Sequence, residues 1–207
     1  MTSLRPSKIV CVGRNYAKHA AELGNDVPAE PLIFLKPPSA IVGHGEPIVI
    51  PPGVGRVDFE GEIGVVIGTT ARHVSAESAW DYVSGIVPVN DVTARDLQAA
   101  DDQWTRAKGF DSFCPVGIAI PLDQVDRDAL GVRTRVNGEL RQSGEASDMV
   151  FDIPRLIAHI SGIMTLEPGD LIATGTPDGI APIQDGDEVT IEIPGVGALT
   201  NPVVAGT

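Results

Sequence analysis

Residues 58–67 read DFEGEIGVVI, a stretch that places two glutamates before a run of β-branched residues. Branched apolar side chains are typical of a strand that enters the core. Because side chains in a strand alternate between its two faces, Glu60 and Glu62 point to the same side. Two carboxylates so close repel each other unless a cation lies between them. The stretch therefore predicts a strand that carries a cation site.

A third carboxylate follows another apolar strand. Asp91 comes directly after the predicted strand Ile86–Val89, and its side chain can be aimed at the same point as the two glutamates. Three oxygen ligands without cysteine or clustered histidine favour Mg²⁺ or Mn²⁺ over Zn²⁺. The alternative is that Glu60 and Glu62 lie on a solvated strand face and that Asp91 caps a helix, because exposed acidic residues are common.

The composition indicates an ordinary globular protein. The chain has 207 residues, 43% of them hydrophobic, with 23 glycines, 17 prolines and a net charge of -13. So many turn-forming residues favour a β-rich fold, and we expect one domain over residues 1–207. The negative charge argues against nucleic acid and anionic membranes as partners. No apolar run is long enough to span a bilayer, and residues 1–12 lack a secretory signal, so we expect a cytoplasmic protein.

Local patterns predict most of the elements. Asn137-Gly138 between Val132–Val136 and Glu139–Gln142 predicts a hairpin, because both central positions favour positive φ. A helix begins after Asp152 with Pro154 in its first turn, and an apolar stripe at a 3.6 period indicates its buried face. The stripe consists of Ile153, Leu156, Ile157, Ile160 and Ile163. Further strands are expected at Lys8–Val12, Leu32–Leu35, Pro47–Ile50, Pro115–Ile120, Leu171–Thr174, Glu188–Ile193 and Gly197–Val204. Further helices are expected at Tyr16–Leu23, from Ser75 until Gly85 ends the segment, and at Thr93–Ala100.

One histidine–glutamate pair and two cysteines stand out as further candidates for a functional or structural role. His19 and Glu22 are three residues apart on a predicted helix, so their side chains share one face and can form a hydrogen bond. A carboxylate partner orients the imidazole and supports its use as a general base, although an exposed helix pair is the alternative. Cys11 and Cys114 are widely separated in apolar surroundings, and we interpret both as structural thiols.

Eight short segments together resemble one known family. In chain order they are Gly13-Arg14-Asn15-Tyr16, His19 with Glu22, Phe34-Leu35-Lys36-Pro37, Glu60 with Glu62, Asn90 to Gln98, Lys108-Gly109-Phe110-Asp111, Val136-Asn137-Gly138-Glu139 and Thr174 to Gly179. This series resembles the fumarylacetoacetate hydrolase family, and in particular its short members similar to acylpyruvases and oxaloacetate decarboxylases. The resemblance implies an α+β, β-rich fold, a mixed β-roll packed as a β-sandwich with a few flanking helices, and a homodimer.

The resemblance also assigns roles to residues of the site. It implies that Glu60, Glu62 and Asp91 hold Mg²⁺ or Mn²⁺. It implies that Lys108 acts in catalysis together with His19 and Glu22, which it places on a lid segment at residues 13–30. The residues that it implies for substrate binding are Arg14, Arg95, Gln98 and Thr176. An anionic substrate next to three carboxylates and one divalent ion needs such positive charge nearby.

These inferences predict an enzyme that breaks a C–C bond in a small 2-oxo or 2,4-dioxo acid. Acylpyruvate hydrolysis and oxaloacetate decarboxylation are the two reactions expected. One alternative is an isomerase or hydratase of the same superfamily that acts on unsaturated dicarboxylates, similar to 2-hydroxyhepta-2,4-diene-1,7-dioate isomerase. A weaker alternative is a non-catalytic β-rich module with a structural Ca²⁺.

Overall fold

A six-stranded mixed sheet forms the centre of the molecule. The computed structural model describes residues 4–207, so the first three residues of the segment considered for a secretory signal lie outside the described residues. In order across the sheet, its strands are β10 (Ile120–Pro121), β7 (Val83–Asn90), β6 (Gly61–Ile67), β13 (Leu171–Ala173), β1 (Ile9–Gly13) and β2 (Leu32–Lys36). Strands β13 and β1 are parallel, and all the other neighbours are antiparallel.

A second sheet of five strands packs against the first. Its strands, in order, are β12 (Glu139–Glu145), β11 (Gly131–Val136), β14 (Glu188–Ile193), β15 (Gly197–Ala205) and β4 (Ile48–Ile50). Strands β6 and β7 contact β11, β14 and β15, so the main core lies between the sheets. Two small pairs complete the strands, β3 (Ile41–Val42) with β9 (Cys114–Pro115) and β5 (Val57–Asp58) with β8 (Thr93–Ala94). The β-rich sandwich predicted from the sequence is confirmed.

The helices are short and lie around the sheets. They are α1 (Ala17–Glu22), α2 (Arg95–Ala100), α3 (Thr105–Lys108) and α4 (Ile153–Ile163). Single 3-10 segments lie at Pro38–Ala40, Ala76–Tyr82, Leu122–Gln124, Arg127–Ala129 and Ala146–Asp148. Within residues 4–207, no helix has the length and apolar character needed to cross a membrane.

Helix α4 follows its sequence pattern except at one end. The carboxylate of Asp152 caps it by accepting a hydrogen bond from the backbone N–H of Arg155 at 2.9 Å. The apolar stripe is buried from Ile153 to Ile160, but Ile163 is 57% exposed. The prediction that Ile163 lies in the core is wrong, because the core covers the helix only up to its last turn.

Three boundaries also differ from expectation. Thr93 and Ala94 pair with Asp58 and Val57, so the predicted helix at Thr93–Ala100 begins only at Arg95. Gly85 does not end a helix but lies inside β7, where a β-carbon would come within 2.5 Å of the carbonyl oxygen of Ile120. The glycine therefore allows β10 to approach closely. The predicted strand Pro115–Ile120 is not continuous: its ends belong to β9 and β10, and between them Val116 forms an isolated bridge with Val89.

The hairpin and the two thiols agree with the sequence interpretation. Asn137 and Gly138 join β11 to β12 with φ values of 52° and 81°, as the hairpin turn requires. Cys11 and Cys114 are free and buried in an apolar cluster on the six-stranded sheet. Burial raises the pKa of Cys114 to about 12 and raises the pKa of Cys11 as well. Such thiols are protonated and unreactive in the folded protein.

Candidate active site

The carboxylate cluster lies where β7 ends beside the start of β6. Asn90 closes β7, and its side-chain oxygen accepts a hydrogen bond from the backbone N–H of Glu60 at 2.9 Å. The backbone N–H of Asp91 donates to the carbonyl of Glu60 at 2.8 Å. Glu60 thus precedes β6 by one residue, whereas Glu62 lies in it. Ligand atoms of Glu60, Glu62 and Asp91 all lie within 4.8 Å of one another, and all three side chains are buried.

Two buried lysines lie against this cluster. The Lys108 ammonium lies 2.9 Å from Glu60 Oε2 and 2.7 Å from Asp91 Oδ2. The Lys36 ammonium lies 2.6 Å from Asp91 Oδ1 and 3.1 Å from the carbonyl of Val92. A role for Lys108 was predicted from the sequence, but none was predicted for Lys36, which ends the apolar strand β2. A lysine at the buried end of an apolar strand is the signal that could have identified it, since buried charges require partners.

Two arginines share a further buried carboxylate, Asp58. Arg95 donates from Nε to Asp58 Oδ2 at 2.8 Å and from Nη1 to Gln98 Oε1 at 2.8 Å, and its Nη2 contacts Glu60 Oε1. Arg56 donates from Nε to Asp58 Oδ1 at 2.7 Å and from Nη2 to Asp58 Oδ2 at 2.9 Å. Asp58 therefore fixes two guanidinium groups next to the cluster. Neither Asp58 nor Arg56 was assigned a role from the sequence.

Glu60 and Glu62 differ in the direction in which the site shifts their pKa. Burial acts to raise the pKa of Glu60, but Lys108 and Arg95 outweigh it and hold that pKa below the ordinary glutamate value. Burial, Asp91 and Glu60 raise the pKa of Glu62 well above the ordinary value. Among residues 4–207, Glu62 has no ion pair and accepts a hydrogen bond from the backbone N–H of Gly175 at 2.9 Å. Negative charge at Glu62 is therefore not balanced by the side chains of the cluster.

The cluster fits a hard divalent cation. Three carboxylates can each offer an oxygen to one ion, and a cation close to Glu62 would balance its negative charge. Oxygen-only donors of this kind suit Mg²⁺ or Mn²⁺. Three protein ligands leave positions for water or substrate, which a closed structural site does not.

A cleft of about 390 Å³ opens above the cluster. The lining includes four residues predicted for catalysis or metal binding, namely His19, Glu60, Glu62 and Lys108. It also includes all four residues predicted for substrate binding, namely Arg14, Arg95, Gln98 and Thr176. Asp91 lies behind this lining, where it holds both lysines, and Glu22 contacts the cleft through His19. The structure therefore brings all ten predicted residues to one place.

His19 lies in one wall of the cleft, and together with Glu22 it forms what we call the histidine pair. His19 is only 4% exposed, and its Nδ1 lies 3.4 Å from Glu22 Oε2. The carboxylate of Glu22 accepts hydrogen bonds from the backbone N–H of Gly179 at 3.1 and 3.3 Å. The contact with Glu22 favours the tautomer that carries its proton on Nδ1, which leaves Nε2 as the basic nitrogen. Gly179 thereby connects helix α1 to the turn that carries Thr176.

Thr176, in the turn after β13, and Gln142, on β12 of the second sheet, support the cluster, and Gln142 was not predicted from the sequence. The Thr176 hydroxyl donates to the carbonyl of Gly61 at 2.8 Å and accepts from Gln142 Nε2 at 2.8 Å. Gln142 Oε1 accepts from the backbone N–H of Gly61 at 3.0 Å, and its Nε2 also donates to the carbonyl of Pro177 at 2.7 Å. Gln142 thus fixes the peptide between the two glutamates. Its sequence position, in the middle of the polar hairpin strand β12, carries no signal of this role.

Comparison with known proteins identifies the family of the chain. A family model described as fumarylacetoacetate (FAA) hydrolase C-terminal matches residues 8–204. A mitochondrial oxaloacetate tautomerase of Arabidopsis thaliana is 48% identical over 92% of this chain and 87% of its own length. A mitochondrial oxaloacetate decarboxylase of Dictyostelium discoideum is 46% identical over 91% of this chain and 89% of its own length.

A solved structure gives the same result. The crystal structure of 2-hydroxyhepta-2,4-diene-1,7-dioate isomerase from Mycobacterium marinum superposes with a TM-score of 0.90 and 50% identity, covering 99% of this chain and 77% of that one. The names of these relatives are those of enzymes. The chain belongs to the fumarylacetoacetate hydrolase family.

Proposed function

We propose that this chain is an enzyme that forms and protonates the enolate of a small 2-oxo acid, with oxaloacetate as its substrate. The observation that carries the proposal is the position of His19 in the cleft wall, with Glu22 behind it and the carboxylate cluster below. A general base beside an electrophilic site is the arrangement that removes a proton next to a carbonyl group. Relatives named oxaloacetate tautomerase and oxaloacetate decarboxylase support the choice of substrate.

Each group in the cleft has a separate task. Glu60, Glu62 and Asp91 would hold Mg²⁺ or Mn²⁺, which supplies a Lewis acid for the 2-oxo acid end of the substrate. His19 Nε2 takes the proton from C3, and Glu22 stabilises the positive imidazolium that results. Lys108 adds positive charge where the enolate oxygen develops its negative charge.

Keto–enol tautomerisation follows when the proton returns to a different atom. His19 takes the proton from C3, the electron pair of the C–H bond forms the C2–C3 double bond, and the π electrons of the carbonyl group move to the C2 oxygen. The His19 imidazolium then gives its proton to that oxygen. In the reverse direction His19 returns a proton to C3. This reaction needs the histidine in both directions, and it is therefore the function that the geometry supports best.

Cleavage of a C–C bond uses the same site, as predicted from the sequence. In decarboxylation of oxaloacetate the C3–C4 bond breaks, its electron pair enters the enolate, and CO₂ leaves. Only the later protonation of C3 needs a proton donor, so His19 is less important for this reaction. The Dictyostelium discoideum relative named oxaloacetate decarboxylase favours it as a second activity. Acylpyruvate hydrolysis, in which His19 would activate water, stays a prediction.

The isomerase alternative shares the proton transfer. The Mycobacterium marinum structure named as an isomerase supports it, and the acceptor atom for the proton is what distinguishes it from a tautomerase. A non-catalytic module with a structural Ca²⁺ is less consistent with a site that opens to a cleft, because Ca²⁺ takes six to eight oxygen ligands.

One set of assays tests the proposal. The purified protein is given oxaloacetate, acetylpyruvate or 2-hydroxyhepta-2,4-diene-1,7-dioate, each with Mg²⁺, with Mn²⁺ and with excess EDTA. Enol absorbance follows tautomerisation, and a coupled lactate dehydrogenase assay follows pyruvate release. We expect the loss of the oxaloacetate enol to depend on the metal. We also expect it to be faster than the release of pyruvate. Turnover of the unsaturated dioate alone would replace the proposal with the isomerase function.

We also propose that the protein is a homodimer, which rests on the family resemblance. Light scattering coupled to size-exclusion chromatography measures its mass directly, and a mass equal to one 21.7 kDa chain would reject the dimer.

A further inference from the structure

The positive charges that line the cleft differ in how far the protein itself neutralises them. Lys108 contacts Glu60 and Asp91, and Arg95 contacts Glu60 and Asp58. Both are therefore occupied by the carboxylates around the cluster. Arg56 has one ion pair, with Asp58, and Arg14 has none within residues 4–207. These two arginines are the cleft cations with capacity for a further anion.

Arg56 is both accessible and held in place. Its side chain is 49% exposed, whereas Asp58 is completely buried. The bidentate contact uses the edge of the guanidinium formed by Nε and Nη2. In the described part of the chain Nη1 has no acceptor, and Arg56 lines the cleft, so the outer edge formed by Nη1 and Nη2 is left for a ligand. A planar guanidinium fixed in this way is suited to bind a second carboxylate through two parallel hydrogen bonds.

The shared carboxylate sets the position of Arg56 relative to the reacting end. Asp58 Oδ2 accepts from Arg56 at 2.9 Å and from Arg95 at 2.8 Å, and Arg95 contacts Glu60 of the cluster. Arg56 is thus separated from the cluster by one carboxylate and one guanidinium. If the cluster holds the 2-oxo acid end of a substrate, the group that binds Arg56 must be a second anionic group further along the substrate.

We propose that Arg56 binds the distal carboxylate of a dicarboxylic 2-oxo acid and thereby selects dicarboxylates over monocarboxylates. The inference rests on the proposed function for the identity of the reacting end. It adds a specificity residue that is distinct from the cluster and from the histidine pair. Because the guanidinium is already ordered by Asp58, little side-chain entropy is lost when the anion binds.

One pair of unreactive ligands with the same 2-hydroxy acid end provides the test. Malate and lactate differ in the distal carboxylate, and their dissociation constants are measured by calorimetry on the Mn²⁺-saturated protein. We expect the wild type to bind malate at least about tenfold more tightly than lactate, the size of one charge-assisted contact. In Arg56→Gln this preference should fall to about twofold or less, with lactate affinity unchanged.

Arg106→Gln is the matched control. Arg106 makes the same bidentate contact, with Asp101, but lies outside the cleft lining. It should keep the wild-type preference for malate. Arg56→Lys keeps the charge and loses the fork, and we expect an intermediate preference. Arg56→Lys also replaces Arg56→Gln in the test if Arg56→Gln does not fold.

Several outcomes overturn the inference. They are a wild type without preference for malate, an Arg56→Gln variant that keeps the preference, and a loss of preference in Arg14→Gln instead. Equal weakening of malate and lactate in Arg56→Gln also overturns it, because Arg56 would then act only by positioning Asp58 and Arg95. A wild type that prefers malate through Arg56 but does not turn over oxaloacetate supports the binding role while rejecting the proposed reaction.

Discussion

The Nδ1 atom of His19 lies 3.4 Å from Oε2 of Glu22, and this contact joins a nearly buried ring in the cleft to a carboxylate at the surface. The distance is longer than an ideal hydrogen bond, which is common for catalytic pairs before substrate binds. Glu22 is also held by the backbone of Gly179, so the pair connects helix α1 to the turn of Thr176. In the proposed mechanism, the orientation of His19 as general base depends on this contact.

Removing the charge of Glu22 should slow proton transfer without removing the base. We expect Glu22→Gln to lower kcat for oxaloacetate tautomerisation by about tenfold to a hundredfold, because the imidazolium loses its stabilising carboxylate. Steady-state kinetics on metal-saturated protein measures this change. Glu139→Gln, at an exposed hairpin position, is the control and should leave kcat unchanged. An unaltered kcat in Glu22→Gln would show that the carboxylate does not assist the ring.

The carboxylate cluster makes a prediction about metal affinity. Glu62→Gln should weaken Mn²⁺ binding by more than about tenfold, because it removes one of three anionic ligands. Electron paramagnetic resonance of free Mn²⁺ gives the dissociation constant without any assay of activity. Glu188→Gln, on the exposed start of β14, should bind Mn²⁺ as the wild type does. Unchanged affinity in both variants would remove Glu62 from the ligand set.

Asp170 makes a prediction about acid stability. Burial acts to raise its pKa, but the backbone N–H of Glu167 and the side chains of Lys8 and Ser7 outweigh burial and lower that pKa in the folded protein. The unfolded chain therefore binds more protons than the folded one as the pH falls below the ordinary aspartate value of about 4. This contribution to stability is complete above that pH and is lost below it.

Urea unfolding between pH 7 and pH 3 measures the contribution. Asp170→Asn should lower the free energy of unfolding at pH 7 by about 2 kcal/mol, as expected when hydrogen bonds to a charged group are lost. The variant should also lose less stability than the wild type as the pH falls. Asp123→Asn, at an exposed position, is the control. Parallel pH profiles for wild type and Asp170→Asn would contradict the account of this residue.

The segment after α1 is expected to act as a lid. Leu23 and Asn25 line the cleft, and Gly24 has a φ of 68°, a conformation that glycine adopts without strain. Hydrogen exchange with and without oxalate plus Mg²⁺ should show slower exchange in residues 13–30 when both are present. Helix α4 serves as the internal control and should not change. Equal exchange of residues 13–30 in the two states would reject the lid.

The sequence predicted the features that depend on local pattern. The hairpin follows from Asn137-Gly138. The meeting of Glu60 with Glu62 was predicted from the period of a strand, although Glu60 lies one residue before β6 and is held there by Asn90 and Asp91. Contacts between distant residues have no such signal. Lys36 pairs with Asp91 across 55 residues and Gln142 reaches Gly61 across 81, because the sheets bring these segments together. Gly85 was predicted to end a helix because the sequence does not show which distant strand packs against it. The close approach of β10 to β7 explains the glycine at this position.

The most direct test of the central claim is the rate of oxaloacetate tautomerisation by His19→Gln. The rate is followed by enol absorbance on Mn²⁺-saturated protein, after subtraction of the buffer rate, with pyruvate release recorded on the same samples. The account predicts a loss of tautomerisation of roughly two to four orders of magnitude, a smaller loss of decarboxylation, and unchanged Mn²⁺ affinity. The account would be contradicted if His19→Gln tautomerised oxaloacetate at the wild-type rate, or if it lost both activities equally.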